Sequence, residues 1–244
     1  MSQQVEISSM TVLPAVREHI ELHTEDGLVL VGELALPASG RVAATLVTLH
    51  PLPTHGGFMD SHVLRKAAWR LPHLADIAVL RFNTRGTSSP RGTSQGEFEE
   101  GVGEAADLRA AVAYAVDRDL PNRWLLGWSF GTELALMHGA HQDVQGAILM
   151  SPPLHRAKDD DLRVWAGTGK PVTALVPEFD DFLKPAEATV RLAPLTGVEQ
   201  VNVAGAKHLW VGEKYVRIVL NEIVQRVAPQ RTPLPTHVDA SVVQ

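Results

Sequence analysis

The chain has 244 residues, 45% of them hydrophobic and 20% charged, which is enough apolar material for a sizeable core and unlike a disordered composition. Its formal charge of −6 argues against a nucleic-acid partner, because phosphate-backbone binding draws on Lys and Arg to displace counterions. The absence of cysteine excludes disulfides, thiolate zinc sites and cysteine nucleophiles together.

The opening residues Met1 to Glu6 carry neither a basic start nor an apolar run, so no secretory signal is expected. No later stretch stays apolar for about 18 residues, so no membrane span is expected either, and the cytoplasm is the expected location. Alternating segments from Arg17 to His23 and from Leu28 to Leu36 flank Glu25-Asp26-Gly27, whose Asp-Gly pair predicts an antiparallel hairpin. The short apolar run Thr45 to Leu49 then predicts a buried strand, followed by a helical pattern from Ser61 to Ala75. The alternation repeats with a strand at Ile77 to Phe82, a helix near Val102 to Val116, a strand at Trp124 to Leu126 and a helix at Gly131 to Gly139. A strand at Ala147 to Met150 leads into Leu154 to Lys170, a polar stretch interrupted by Asp159-Asp160-Asp161, Gly167 and Gly169 and read as irregular. Strands at Val172 to Val176 and Val198 to Val203, with helices at Ala186 to Leu192 and Glu213 to Val227, complete the pattern.

Such alternation implies an α/β fold with a mostly parallel sheet of about eight strands and helices on both faces. Residues 1–227 are expected to form one domain. Residues 228–244, with Pro229, Pro233 and Pro235, are expected to leave it as an extended or partly disordered tail.

The segment Gly127-Trp128-Ser129-Phe130-Gly131 sets GxSxG between a buried-strand pattern and a helix pattern. A turn sharp enough to expose a serine hydroxyl above a sheet needs small residues on either side, which makes Ser129 the candidate nucleophile. A serine hydroxyl attacks poorly until a base takes its proton, and that base needs a third group to hold its tautomer. In a fold that presents its nucleophile this way, the acid follows a late strand and the histidine follows the last one, which selects Asp180 and His208. Asp181 and Glu178 are the alternative carboxylates. The amides of Phe130 and Leu52 are the candidate donors to a tetrahedral oxyanion.

Trp128, Trp210 and His50 are the candidate substrate-binding residues, with core packing the alternative for the two indoles. His50 and His55 lack a third ligand in a recognised spacing, so no metal is expected. His138 and His141 read as structural or exposed, and His155 as a loop residue, with an approach to the pocket as the alternative. Arg85 is expected to hold loops by bonding carbonyls, and Arg81 to pair at the sheet edge, with attraction of an anionic substrate the alternative for both.

Four blocks carry a family likeness: His50 to Asp60 (His-Pro-Leu-Pro-Thr-His-Gly-Gly-Phe-Met-Asp), Leu80 to Ser88, Gly127 to Gly131, and Gly205-Ala206-Lys207-His208. Together they resemble the small, cap-less branch of the α/β-hydrolase superfamily that includes dienelactone-hydrolase-like proteins. The resemblance implies that the His50-Pro51 loop forms the oxyanion side of a pocket and that the Asn83 to Gly86 turn buttresses it. Pro177 stands where such relatives often carry glycine before the acid, and Lys207 where they often carry aspartate before the histidine. With no room for a cap domain, the pocket is expected to be open, with Trp165 partly covering it.

The expected activity is hydrolysis of a carboxylic ester through an acyl-enzyme, with short acyl groups preferred and no cofactor. A thioesterase or acyltransferase using the same triad is the alternative within enzymes, and a non-catalytic ligand-binding protein on a hydrolase scaffold is the alternative outside them. The expected partner is a small-molecule ester or thioester, with neither nucleic acid nor membrane, and the sequence leaves the oligomeric state open.

Overall fold

The computed structural model describes residues 3–244. A short strand, β1 (Gln4–Glu6), precedes the hairpin of β2 (Ala15–His23) and β3 (Val29–Pro37). Gly27 sits in the hairpin turn at φ +89°, a conformation that glycine adopts without a Cβ clash. Strand and helix then alternate through β4 (Ala44–Leu49), α1 (His62–Ala75), β5 (Ile77–Phe82), a small ribbon of β6 (Ser88–Ser89) and β7 (Gly92–Thr93), and α2 (Glu104–Asp117). They continue through β8 (Arg123–Trp128), α3 (Phe130–His138), β9 (Gly146–Met150), α4 (Asp159–Thr168), β10 (Val172–Phe179), α5 (Pro185–Arg191), β11 (Glu199–Lys207), α6 (Glu213–Val227) and β12 (His237–Asp239).

Eight strands form the main sheet in the order β11-β10-β9-β8-β4-β5-β3-β2. Only the pairs involving β3 are antiparallel; the other neighbours run parallel. Every residue of β4, β5 and β9 is buried, as the continuous apolar runs require of strands covered on both faces. Successive side chains go to opposite faces: Val47 and Leu49 join the layer under α2, α3, α4 and α5, whereas Leu46 joins the layer under α1 and α6. Because β4, β5, β8, β9, β10 and β11 run the same way, their C-terminal loops gather at one edge of the sheet, where open α/β sheets bind ligands.

Four expectations need correction. The stretch after β9 is not irregular, for it contains α4. Three aspartates in the first turn favour the positive helix end, the Asp161 carboxylate accepts from the Lys158 amide at 2.7 Å, and Gly169 closes the helix at φ +67°. Trp165 does not cover a pocket; it is fully buried, and its indole N–H donates to the Ala135 carbonyl of α3 at 2.9 Å.

The segment after α6 folds back instead of leaving. Leu234 is buried in the layer beneath α1 and α6, and its amide donates to Asn221 Oδ1 at 2.8 Å. Val238 pairs with Val5 across β12 and β1 and packs on Ile7 and Leu13. Its prolines therefore interrupt a packed strap whose apolar residues find partners only in three dimensions.

The arginines are the last correction. Arg81 lies on β5, inside the sheet, fully buried and paired with Glu33 of β3 and with Asp60 at 2.6 Å. Arg85 bonds carboxylates, not carbonyls: Asp107 at 2.9 Å, Glu99 at 2.6 Å and Asp26 at 2.9 Å.

Candidate active site

Ser129 stands between β8 and α3 with φ 51° and ψ −115°, a strained backbone that throws its side chain above the sheet edge. Close packing dictates the two glycines around it. A Cβ on Gly131 would meet the Leu49 carbonyl oxygen at 2.1 Å, and one on Gly127 would meet the Gly131 carbonyl oxygen at 2.5 Å. The Ser129 amide donates to Met150 O at 2.9 Å, which ties the turn to β9.

Two strands carry the other groups to the same edge. Asp180 follows β10 and His208 follows β11, the last strand of the sheet. His208 Nε2 lies 2.9 Å from Ser129 Oγ, and Nδ1 lies 2.9 Å from Asp180 Oδ2. Asp180 Oδ1 also accepts the amides of Phe182 at 2.9 Å and Leu183 at 3.2 Å. Burial pushes the Asp180 carboxyl up, but the His208 hydrogen bond and these two amides outweigh it and hold the group below the ordinary carboxylate range. Of the alternative carboxylates, Glu178 accepts the Gly205 amide at 2.7 Å, and Asp181 is exposed.

A cavity of about 310 Å³ opens beside Ser129, lined by Leu52, Phe130, Arg156, Phe182 and His208 among others. Both candidate oxyanion residues thus border it. Neither the Leu52 nor the Phe130 amide has a protein acceptor among the described residues, so both N–H groups are free to serve a ligand.

The three candidate substrate-binding residues lie elsewhere, which corrects that expectation. Trp128 and Trp210 are buried beneath the site, where the Trp128 indole donates to the His208 carbonyl at 3.2 Å. Trp210 donates to Ser151 Oγ at 2.9 Å, and that hydroxyl in turn donates to the His208 carbonyl at 3.2 Å. The indoles therefore fix the loop that carries the imidazole.

His50 is 1% exposed and does not line the cavity either. Its Nε2 accepts the Thr84 amide at 3.1 Å; Nδ1 must then carry the proton and donate to the Pro51 carbonyl at 2.7 Å. A trans peptide holds its carbonyl and N–H on opposite sides, so anchoring Pro51 O turns the Leu52 N–H away from His50. Burial drives His50 down to about 4, against the opposing pull of the Pro51 carbonyl, which keeps it neutral near pH 7. The turn after β5, expected to buttress this loop, does so through Thr84 and through Asn83 Oδ1, which accepts the Met59 amide at 2.9 Å.

Sequence reasoning passed over Phe182 and Arg156, which line the cavity, whereas His155, read mainly as a loop residue, does approach it. The Phe182 ring packs edge-on against His208 at 4.6 Å and against His155 at 5.6 Å. His155 and Arg156 border the cavity because the fully buried Glu133 of α3 accepts the amides of His155, Arg156 and Ala157 at 2.6, 3.1 and 2.6 Å. The one signal in the sequence was a glutamate four residues after the serine, on the face of α3 that apolar residues would otherwise fill. His138 is structural, its Nε2 being 2.7 Å from the Gly101 carbonyl. Among the described residues no cluster of three His, Asp or Glu side chains is arranged to hold a metal ion, and no helix is long and apolar enough to cross a membrane.

Known proteins share this plan. A family model for the alpha/beta hydrolase family matches residues 46–239. An uncharacterized protein of Rickettsia prowazekii (strain Madrid E) is 33% identical over 128 residues, and the match takes in 51% of this chain and 51% of that protein, about half the length of each. A solved α/β serine hydrolase without a lid, from Xanthomonas campestris, superposes with a TM-score of 0.72 at 27% identity, covering 92% of this chain and 99% of its own. The α/β serine hydrolase homologue from Coxiella burnetii has the same TM-score of 0.72 at 24% identity, covering 86% and 97%, which is a likeness of fold. Between β9 and β10 the chain forms the single helix α4, which contacts α3, and no separate cap domain. This chain belongs to the alpha/beta hydrolase family, in its small lidless branch.

Proposed function

We propose that the protein is a serine esterase that cleaves a carboxylic ester through an acyl-enzyme, with Ser129 as nucleophile, His208 as base and acid, and Asp180 as orienting carboxylate. The observation that carries this reading is the unbroken relay from Ser129 Oγ to His208 and on to Asp180, each link 2.9 Å, at the border of a cavity. Ser129 Oγ attacks the ester carbonyl carbon while His208 Nε2 takes its proton. The oxyanion accepts from the Leu52 and Phe130 amides, a device worth about 10²–10³ in turnover per donor. Collapse expels the alcohol, which leaves with the proton from His208. A water then repeats the sequence on the acyl-enzyme, giving up its proton to His208 and releasing the acid.

Asp180, held ionised, keeps the Nδ1–H tautomer in place and stabilises the imidazolium that forms at each transfer. No cofactor takes part in this route. The small cavity suits short acyl groups. Labelling with a fluorophosphonate and turnover of an aryl-ester series from acetyl to long chains test the reading together. Labelling of the native protein, its loss in Ser129→Ala, and fastest turnover on short chains are expected; an unlabelled native protein would favour a binding role instead.

A further inference from the structure

Among the described residues, Arg156 is the one arginine or lysine that lines the cavity beside Ser129. Most arginines of this chain are committed to carboxylates, including the buried Arg81 and Arg85, but Arg156 has no carboxylate partner among the described residues. Its Nε donates to the Glu100 carbonyl at 3.0 Å, and its guanidinium carbon stands 5.2 Å from the centre of the Phe130 ring. Those two contacts hold the guanidinium plane and leave both terminal nitrogens unengaged. The backbone beneath is held as firmly, since buried Glu133 takes the amides on either side of Arg156 as well as its own. A helix that begins after Ser129 therefore anchors, through its buried carboxylate, the backbone from which this side chain projects.

We propose that Arg156 receives an anionic group of the substrate, so that the ester cleaved here carries a carboxylate or similar anion besides its scissile bond. A guanidinium whose Nε is engaged keeps its Nη1–Nη2 edge free, and that edge matches a planar carboxylate bidentately, a geometry lysine does not reproduce. The single cation also gives a chain of net charge −6 a local attraction for an acidic substrate. This inference rests on the esterase reading of the same cavity and names its substrate class.

Two substrate pairs distinguish where the anion sits. Mono-4-nitrophenyl adipate against 4-nitrophenyl adipamate places it in the acyl half. The ester 4-carboxyphenyl butyrate against 4-carbamoylphenyl butyrate places it in the alcohol half. For each pair the readout is the ratio of kcat/KM for the charged member to that for the neutral one, in the native protein, Arg156→Gln and Arg156→Lys. In at least one pair the native ratio is expected to exceed the Arg156→Gln ratio by about tenfold or more, with Arg156→Lys between them and added salt narrowing the gap. Equal ratios in all three proteins, for both pairs, would overturn the proposal.

If the native protein turns over none of the four and takes no fluorophosphonate label, the esterase reading has failed separately. Calorimetric titration of the intact protein with mono-4-nitrophenyl adipate and with 4-nitrophenyl adipamate then decides. Tighter binding of the adipate that is lost in Arg156→Gln sustains the anion site. Absent binding, or binding indifferent to the charge or to the substitution, sinks it.

Discussion

At Asp180 and His50, burial acts on two titratable groups with opposite results. Asp180 accepts from His208 and two amides, so its carboxylate persists despite the desolvation. Replacing it with asparagine keeps the shape but removes the charge and the tautomer preference, and the expected loss in kcat is about 10³–10⁴-fold. Steady-state kinetics on a short aryl ester checks this, with Asp181→Asn and Glu178→Gln as controls that retain most turnover. Because the folded-state value of Asp180 is depressed, the pair with His208 adds stability above the unfolded carboxylate value and loses it as pH falls through the folded one.

His50 is neutral in the fold, with a value lowered from 6.5 to about 4. Above pH 6.5 neither the folded nor the unfolded state is protonated there and stability is full; between 6.5 and about 4 only the unfolded chain takes the proton, so stability drains away. The loss approaches about 3 kcal/mol at the acid end. Urea unfolding at steps across that window should show a shallower decline in His50→Gln than in the native protein.

Among the elements, α3 does two tasks: its first turn follows Ser129 and its buried Glu133 secures the loop between β9 and α4. Glu133→Gln keeps one acceptor oxygen and trades the other for a donor that faces a backbone N–H. The expected cost is about 1–3 kcal/mol, and hydrogen exchange should quicken at the amides of residues 155–157 before the rest of the sheet responds. Legibility differed by element for a physical reason. The parallel strands declared themselves because burial on both faces demands unbroken apolar runs, and Ile77–Phe82 appears with the bounds expected of it. Helix α4 did not, because its apolar face reduces to Leu162 and Trp165 and its aspartates resemble a loop until the capping bonds are seen. At the site, the spacing of Ser129, Asp180 and His208 along the chain follows from strand order. The roles of Trp128 and Trp210 depend on which side of the sheet each indole enters, and an aromatic next to a functional residue carries no sign of that.

In the whole molecule, the strap after α6 closes the layer beneath α1 and α6 and joins the two ends of the chain through β1 and β12. Leu234 has lost nearly all contact with solvent, at 7% exposure, so Leu234→Ala should cost about 2–4 kcal/mol. Thermal unfolding measures it, and ester turnover should be unchanged because no residue of the strap borders the cavity. A destabilisation below about 0.5 kcal/mol would show the strap to be dispensable packing.

The amino-acid order by itself determined the alternation of strand and helix, the turn at Ser129, and the chain order of Ser129, Asp180 and His208 after their strands. Each of those is a local matter of period, small residues and sequence position relative to a strand. Tertiary structure alone decided the partners of buried charge and loose ends: Glu133 under the 155–157 amides, His50 behind the Leu52 peptide, and the strap against β1. Those contacts join residues far apart along the chain. Only packing at fixed distances makes a buried carboxylate find its amides, or a histidine shed its proton.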